Sequence, residues 1–405
     1  YIQRNQSLRP PHHTATASSR PSVPHDMSTP VTEATRRSAS STGERSSSPS
    51  SPRRDELLRD VHWTRPDGGV CFGPANPSPG EIEHAWERLS DAVREFGDAD
   101  LQKIARAAQN RAGKPAAATK GSPKPAPSYH SEALRSTVLR TDWSKKAVQL
   151  AIDWSRPVVQ AELAVGGNVV LAGAMPAHVV VNGHARSIVG SWEEVCFDAD
   201  AEAEYLELEA SLGGGFQLQR QFVLLRRDGL LWIADAVLDP TVADLQCDLT
   251  LPFVPRAEFA PADETQEIRA AVGRSRLTIL PPALAEWRVD HRGGELSVAE
   301  GTVRLQRSAH QAAAMYAPLC LIVDSRRAKT ECTWRRLTIG EDLQIQPADK
   351  AVGYRVQLGR EQWLFYRSLT PRANRTLLGV NLQSDFLAAR FQRDGTTETL
   401  MEIEA

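Results

Sequence analysis

Dipeptides that favour tight turns recur at short intervals through residues 131–405, and this spacing constrains the fold more than any other feature of the chain. Each of them separates two runs in which apolar and polar residues alternate. The five clearest are Gly166-Gly167, Asn182-Gly183, Asp228-Gly229, Gly293-Gly294 and Asp394-Gly395. Two-residue hairpin turns need positive φ at their central residues, which glycine and asparagine adopt at low cost. The pattern predicts a mainly β fold, with a large antiparallel two-sheet supersandwich over residues 131–405.

The residues before the sandwich differ from it in composition. Residues 1–55 are rich in Ser, Pro and Arg and almost free of apolar residues, so burial cannot offset the entropy of ordering them. We therefore expect a disordered tail there, followed by an irregular segment at 56–77. A Lys/Pro/Ala-rich linker is expected at 111–130.

One amphipathic helical segment is predicted at 78–110. Ser78 is followed by a proline at the first helical position and by a glutamate three residues on, which is the pattern of a capping box. Apolar residues then recur at helical spacing, at Ile82, Trp86, Leu89, Val93 and Phe96. We expect a small docking or oligomerisation element, with a partner-binding helix as the alternative.

Charge and composition exclude two classes of partner. The 48 Lys and Arg residues nearly balance the 50 Asp and Glu residues, which gives a formal net charge of -2. No overall positive field therefore favours nucleic acid, and no apolar run is long enough to span a membrane. We expect a polysaccharide or protein partner, no nucleic acid and no membrane span.

The cysteines favour a reducing compartment. They are odd in number, widely spaced and lack any C-x-x-C pair, which indicates free thiols. Their positions are Cys71, Cys196, Cys247, Cys320 and Cys332. We expect a cytoplasmic location. The chain begins at Tyr1 rather than Met, so we also expect its true start to lie elsewhere.

No metal site and no cofactor are predicted. His178 and His184 flank a hairpin turn and project to opposite faces, so they cannot share an ion. A second group, His62, Cys71 and His84, is too loosely spaced for a metal centre. Phosphate-binding loops, nucleophile elbows and zinc-protease motifs are also absent from the sequence.

The hairpin around Asp228-Gly229 places two charges on an apolar face. With a two-residue turn, Arg220 lies opposite Val237 and diagonal to Asp235, among side chains that face the core. A buried arginine without a partner would cost several kcal/mol, so we predict that Arg220 and Asp235 form a buried ion pair. The alternative is a charged pair that lines a functional site.

The opposite face of the same strands is polar and forms the candidate binding plane. Carboxylates and amides hydrogen-bond sugar hydroxyls, and a tyrosine ring offers a stacking surface. The plane consists of Tyr205, Glu207, Glu209, Gln217, Gln219 and Gln221. The alternative is a sheet face that is simply solvated, as antiparallel sheets often are.

The same hairpin resembles part of a known family. Its features are the run Tyr205-Leu-Glu-Leu-Glu, a strand that contains Arg220, and an apolar strand that ends at Asp235. Together they resemble the C-terminal β-sandwich of heparinase II/III-type polysaccharide lyases. The closing segment, 375–404, is similar to proteins of planctomycete-type bacteria that share this sandwich.

The resemblance implies a carbohydrate-related function and leaves the activity open. Those lyases carry an α/α-toroid before the sandwich, with much of their catalytic machinery, whereas one helical segment is predicted here. Tyr205, Tyr316, His291 and His310 are suitable residue types for a lyase, but no motif links them. We therefore expect a non-catalytic sandwich that binds carbohydrate or another macromolecule. The alternatives are a lyase-like enzyme acting on acidic glycans and a structural scaffold without a sugar ligand.

Overall fold

The computed structural model describes residues 52–74, 77–111, 125–289 and 293–404. Nearly all of the predicted tail and the middle of the predicted linker lie outside these residues. Within them, the mainly β, antiparallel architecture predicted from the turn spacing is confirmed.

Among the described residues, three short helices precede the sheets, where the sequence predicts one helical segment. They are α1 (Pro52–His62), α2 (Pro79–Phe96) and α3 (Ala99–Arg111). The predicted capping box between Ser78 and Glu81 starts α2, and Gly97, with a φ of 78°, ends it. The helices share a small apolar core.

Helix α1 corrects the expectation that residues 56–77 are irregular throughout. Its apolar residues Leu57 and Val61 are buried against Trp86 of α2 and Leu101 of α3. Two apolar residues one turn apart are enough for a short helix when α2 and α3 cover them. They are too few to give a helical pattern that the sequence alone would reveal.

The strands form three large antiparallel sheets and one small one. The N-terminal sheet has the order β1-β2-β3-β4-β5. Its strands are β1 (Tyr129–Ser131), β2 (Ser136–Arg140), β3 (Val148–Asp153), β4 (Val159–Val165) and β5 (Asn168–Met175). The central sheet comprises β6 (His178–Val181), β7 (His184–Arg186), β8 (Val189–Ala199), β9 (Ala203–Gly213), β10 (Phe216–Leu225), β11 (Leu230–Pro252), β12 (Glu258–Pro261), β13 (Ile268–Val272), β14 (Ser275–Leu280), β15 (Gly294–Ala299) and β16 (Thr302–Ile322).

The remaining strands build the C-terminal sheet and a small sheet beside it. The C-terminal sheet, in the order β17-β20-β21-β24-β25, comprises β17 (Cys332–Leu337), β20 (Ala351–Leu358), β21 (Glu361–Ser368), β24 (Phe386–Phe391) and β25 (Thr397–Ile403). The small sheet, in the order β19-β18-β22-β23, comprises β18 (Gly340–Glu341), β19 (Gln344–Ile345), β22 (Arg375–Leu377) and β23 (Val380–Leu382).

The central sheet is buried on both faces, so the structure has three large β layers where the sequence predicts two. Leu218 and Phe222 point to the core shared with the N-terminal sheet. Val223 and Trp232 point to a second core, shared with the C-terminal sheet. Because the stretch 230–237 of β11 carries apolar residues on both faces, each face of the sheet there needs a covering sheet.

Of two hairpin turns predicted to have two residues, the structure confirms the one at Asn182-Gly183 and not the one at Asp228-Gly229. Asn182 and Gly183, with φ values of 49° and 79°, form the expected two-residue turn, and Val181 pairs with His184. The predicted two-residue turn at Asp228-Gly229 is wrong, because Leu225 pairs with Leu230 across a four-residue turn. Arg220 therefore lies directly opposite Asp235 rather than diagonal to it.

A buried carboxylate in β9 ties the start of the sandwich to the central sheet. Glu204 accepts hydrogen bonds from the Ser128 hydroxyl, from the Arg140 backbone N–H at 2.7 Å and from the Arg226 Nε at 3.0 Å. Burial raises the pKa of Glu204 to about 7, although Arg226 and these hydrogen bonds lower it. The folded protein therefore binds a proton there more tightly than the unfolded chain does.

Candidate functional site

The predicted binding plane lies between two sheets and not on an open surface. Strand pairing sets Gln221 beside Glu207 and Gln219 beside Glu209, so the polar side chains are neighbours as predicted. The C-terminal sheet packs over part of them: Tyr205, Glu207 and Gln221 are buried, Glu209 and Gln219 are half-buried, and Gln217 is exposed. The prediction of an open plane is therefore wrong for three of the six residues.

The buried part of the plane is a hydrogen-bonded network around Arg367 of β21. Its guanidinium donates to both carboxylate oxygens of Glu207 and, at 2.6 Å, to the amide oxygen of Gln219. The Tyr205 hydroxyl donates to Glu207 at 2.6 Å. Burial raises the pKa of Tyr205 well above its usual value, and Glu207 raises it further, so this hydroxyl keeps its proton. Arg367 thus compensates polar groups that the covering sheet removes from water.

The network extends inward to a second tyrosine. The Gln221 amide lies between two hydroxyls, 2.8 Å from that of Tyr205 and 2.6 Å from that of Tyr316. The indole Nε1 of Trp232 donates to the Tyr316 hydroxyl at 2.9 Å. These bonds fix the position of Tyr316, whose side chain also lines a cleft at the edge of the two sheets.

Arg220 and Asp235 lie in the other core, away from this network. Nε and Nη2 of Arg220 donate to the two carboxylate oxygens of Asp235 at 2.7 and 2.8 Å, and Nη1 donates to the Met175 carbonyl at 2.6 Å. Both side chains are fully buried, and the guanidinium lies over the Trp192 ring. With each charge compensated inside an apolar core, this pair holds sheets together and lines no opening.

The cleft, which we call the arginine cleft, lies between β16 of the central sheet and β17 and β20 of the C-terminal sheet. Its volume is about 300 Å³. The polar residues that line it are Arg307, His310, Gln311, Tyr316, Arg336, Asp349 and Tyr354.

Two arginines give the cleft its charge. The Nη1 of Arg307 donates to the Gly293 carbonyl, and its buried Nε has no hydrogen-bond partner among the described residues. Neither Arg307 nor Arg336 forms an ion pair with a carboxylate in the described ranges. Burial lowers the pKa of Arg307, the Tyr354 hydroxyl raises it and Arg336 lowers it again, with a net decrease. An arginine still keeps its charge at neutral pH, so the cleft holds two guanidinium charges against the single carboxylate of Asp349.

The two tyrosines of the cleft are hydrogen-bond donors at neutral pH. Burial raises the pKa of Tyr354 to about 12, although Arg307 and Arg336 lower it. Burial also raises the pKa of Tyr316, against the lowering effect of the Trp232 hydrogen bond. Their rings stack with centroids 6.3 Å apart. Both hydroxyls remain protonated, which does not suit proton abstraction, and that of Tyr316 is already hydrogen-bonded to Gln221 and Trp232.

The other polar groups of the cleft are one carboxylate, one imidazole and the amide of Gln311, which donates to Asp244 at 3.3 Å. Asp349 accepts a hydrogen bond from the Ala313 N–H at 3.1 Å, and its second oxygen is buried without a partner among the described residues. His310 is exposed, and its Nδ1 lies 2.5 Å from Asp244 outside the cleft. The predicted lyase-type residues thus divide: Tyr316 and His310 reach the cleft, Tyr205 lies deep in the network behind it, and His291 falls outside the described residues.

A second hollow of about 390 Å³ continues from the cleft around edge strand β17 and shares Arg336 with it. Arg335 also lines it, and strand pairing sets Arg335 directly opposite Arg355. Like charges directly opposite each other on neighbouring strands repel. Burial lowers the pKa of Arg355, and Arg335 lowers it further. The lining also includes the carboxylate of Glu286, which accepts hydrogen bonds from the Thr333 hydroxyl and the Trp334 N–H, so acid and arginine are mixed along this edge.

Sequence reasoning did not find Arg307 and Arg336. They lie on different strands, and no motif spacing joins them. The signal available was the pair Arg335-Arg336 inside a short strand that begins Cys332-Thr-Trp334. Adjacent residues of a strand point to opposite faces of its sheet, so one of these two arginines must point toward the sheet packed against it. In the structure that residue is Arg336, which lines the cleft.

The metal candidates do not come together. His178 and His184 lie on paired strands but flank the turn as predicted, and His62 is buried beside the Tyr129 and Trp143 rings. Within the part of the chain that the structure describes, no three His, Cys, Asp or Glu side chains are grouped so that they could hold a metal ion. Likewise, none of the helices described is long and apolar enough to cross a membrane.

Comparison with solved structures identifies the fold. The heparan sulfate lyase HepC from Pedobacter heparinus aligns with a TM-score of 0.54 and 11% identity over 76% of this chain and 51% of the lyase. The alignment shows a shared fold. A crystal structure of heparinase III aligns with a TM-score of 0.53 and 11% identity over 78% of this chain and 54% of the other. A third structure, the heparinase III BT4657 gene product, has a TM-score of 0.52 and 10% identity.

These alignments support, at the level of the fold, the resemblance seen in the sequence. At such low identity they carry no residue roles, and the chain spans about half the length of the heparinases it matches. No protein-family model and no curated protein matches the sequence.

Proposed function

We propose that this β-sandwich binds an acidic polysaccharide in the arginine cleft and does not cleave it. The observation that carries the proposal is the pair Arg307 and Arg336, which face a cleft without an ion-pair partner among the described residues. Arginine guanidinium groups match carboxylate and sulfate oxygens with paired hydrogen bonds. The solved structures with this fold include a heparan sulfate lyase, which supports an acidic glycan as the ligand class.

The arrangement of donors supports binding over elimination. A lyase needs a base to remove the proton next to the carboxylate, and a group that neutralises the charge that develops. The cleft supplies the neutralising cations. Its two tyrosines hold their protons because burial raises the pKa of both, so neither is a ready base at neutral pH. Of the other two candidate bases, His310 contacts Asp244 outside the cleft and Asp349 accepts the Ala313 N–H.

The extension along β17 supports a polymer as the ligand. The opening continues past Arg336 into the hollow of about 390 Å³, which Arg335 and Glu286 line and which adds room for more than one sugar unit. Three residues of the predicted plane are half-buried or exposed and do not line the arginine cleft: Glu209, Gln219 and Gln217.

A glycan array combined with a lyase assay tests the proposal. We expect binding to uronate-containing or sulfated glycans, no binding to neutral ones, and no ultraviolet absorbance from an unsaturated product. Binding should weaken as salt is raised, because the contacts are ionic. Product formation would favour the lyase-like alternative, and silence in both assays would leave the scaffold alternative.

Arg360 provides a matched control for the cleft residues. It is exposed at the β20–β21 turn and forms no ion pair within the described chain, so Arg360→Ala removes one positive charge elsewhere. Array binding that falls equally in Arg307→Ala and Arg360→Ala would show a general charge effect and contradict the site. The cytoplasmic location stays a prediction, which cell fractionation would test.

A further inference from the structure

A second basic region lies apart from the arginine cleft, at the β13–β14 turn and the loop after β16. Its open hollow, which we call the basic hollow, measures about 520 Å³. It is lined by Gly273, Arg274, Arg276, Ser325, Arg326 and Lys329. Four of these six residues are cationic and none is acidic. It shares no lining residue with the arginine cleft or its extension.

Hydrogen bonds fix the two loops of the basic hollow against each other. The backbone N–H of Arg276 donates to the Ser325 hydroxyl at 3.0 Å, and the Thr278 hydroxyl donates to the Ala328 carbonyl at 2.8 Å. Within the hairpin, Nη1 of Arg276 donates to the Gly273 carbonyl at 2.7 Å. The charges are therefore carried on a framework that is already assembled, so a ligand would not have to order it.

The charges of the basic hollow are not compensated by neighbouring acids. Arg327, in the same loop, pairs with Glu361 at 3.1 Å and approaches Asp228 at 3.6 Å. By contrast, none of the four cations of the hollow forms an ion pair with any described residue. Asp324, the acid nearest in sequence, uses its Oδ1 to accept the backbone N–H of Arg326 at 2.8 Å. Four like charges on two fixed loops repel each other, and a bound anion would relieve that repulsion.

We propose that the basic hollow binds a sulfate or phosphate monoester group. Such a group has three oxygens that point in different directions, so cations on two separate loops meet it together. A carboxylate has two oxygens in one plane and matches a single guanidinium. The Ser325 hydroxyl adds a neutral donor beside the charges. This inference is independent of the function proposed for the arginine cleft.

Isothermal titration of the full chain at constant ionic strength tests the proposal. The probes are inorganic sulfate, inorganic phosphate, glucosamine 6-sulfate, glucose 6-phosphate and glucuronate. We expect the tetrahedral anions to bind at least about tenfold more tightly to the wild type than to Arg274→Ala/Arg326→Ala, since charge-assisted hydrogen bonds are lost. The two sugar esters distinguish a sulfated from a phosphorylated ligand, and glucuronate should not discriminate between the proteins.

Two further variants separate this site from other effects. Arg156→Ala removes an exposed charge from the β3–β4 loop and should leave anion binding within about twofold of wild type. The cleft variant Arg307→Ala/Arg336→Ala should still bind the tetrahedral anions in the basic hollow, with the affinity that Arg274→Ala/Arg326→Ala loses. Equal binding by wild type and Arg274→Ala/Arg326→Ala, or an equal loss in Arg156→Ala, would overturn the proposal, whatever the outcome for acidic polysaccharide.

Discussion

Replacing Asp235 by asparagine should strongly destabilise the sandwich. In the wild type both carboxylate oxygens of Asp235 accept from Arg220, at 2.7 and 2.8 Å, and neither side chain is exposed. The asparagine side chain would keep one neutral acceptor for Arg220 but would lose the negative charge. The buried guanidinium charge would then face only neutral groups: that acceptor, the Met175 carbonyl and the Trp192 ring. Removing one partner of a buried ion pair costs about 3–5 kcal/mol, and we expect a loss in this range.

Equilibrium urea denaturation followed by tryptophan fluorescence measures this loss. Asp263→Asn, an exposed acid in the β12–β13 loop, is the matched control and should change the unfolding free energy by less than about 0.5 kcal/mol. The double variant Arg220→Met/Asp235→Leu should recover most of the stability, because two apolar side chains leave no charge unpaired. An Asp235→Asn protein as stable as the control would refute the buried-pair reasoning, as would a double variant less stable than Asp235→Asn.

Two other carboxylates give further predictions. Glu207→Gln should cost about 3–5 kcal/mol in urea denaturation because it leaves Arg367 buried without its acid, whereas Glu209→Gln, half-buried, should cost less than about 1 kcal/mol; equal small losses would contradict the buried network. The Glu204 pKa is raised from 4.5 to about 7, so its stabilising contribution is full below about pH 4.5 and falls as pH rises to about 7. Glu204→Gln should remove this fall, at most about 3 kcal/mol, and unfolding curves with the same pH slope in both proteins would refute it.

Local patterns in the sequence predict the hairpins better than the layers. The Asn182-Gly183 turn follows from the φ preferences of its two residues alone. The Asp228-Gly229 dipeptide has the same signature, yet the turn uses four residues with Gly229 last, at a φ of 62°. The same dipeptide fits turns of more than one length. The register of β10 against β11 is therefore set by the pairing of the two strands and cannot be predicted from the turn residues alone.

The error about the binding plane has a related cause. Alternation along β9 and β10 predicts one core face and one solvent face, which is the usual arrangement in a two-layer sandwich. The apolar run from Leu230 to Val237 in the neighbouring strand was the contrary signal, since it shows burial on both sides. Polar residues such as Glu207 are then tolerated only because Arg367, more than a hundred residues later, reaches them.

The arginine cleft was not predictable from spacing. Arg307, Arg336 and Tyr354 come from three strands in two sheets, and only the packing of those sheets brings them to one opening. Composition gave no help either, because the near-zero net charge averages over paired and unpaired residues. The distinguishing property is local: these arginines face an opening and form no ion pair with a carboxylate among the described residues.

The central claim is tested most directly by the dissociation constant of the acidic oligosaccharide that binds best on the array, measured by titration calorimetry for wild type and for Arg307→Ala/Arg336→Ala. Charge-assisted hydrogen bonds contribute about 1.5–3 kcal/mol each, so we predict at least about a tenfold loss of affinity in the double variant and no more than about a twofold change in Arg360→Ala. The same affinity in all three proteins would contradict the assignment of the arginine cleft as the binding site.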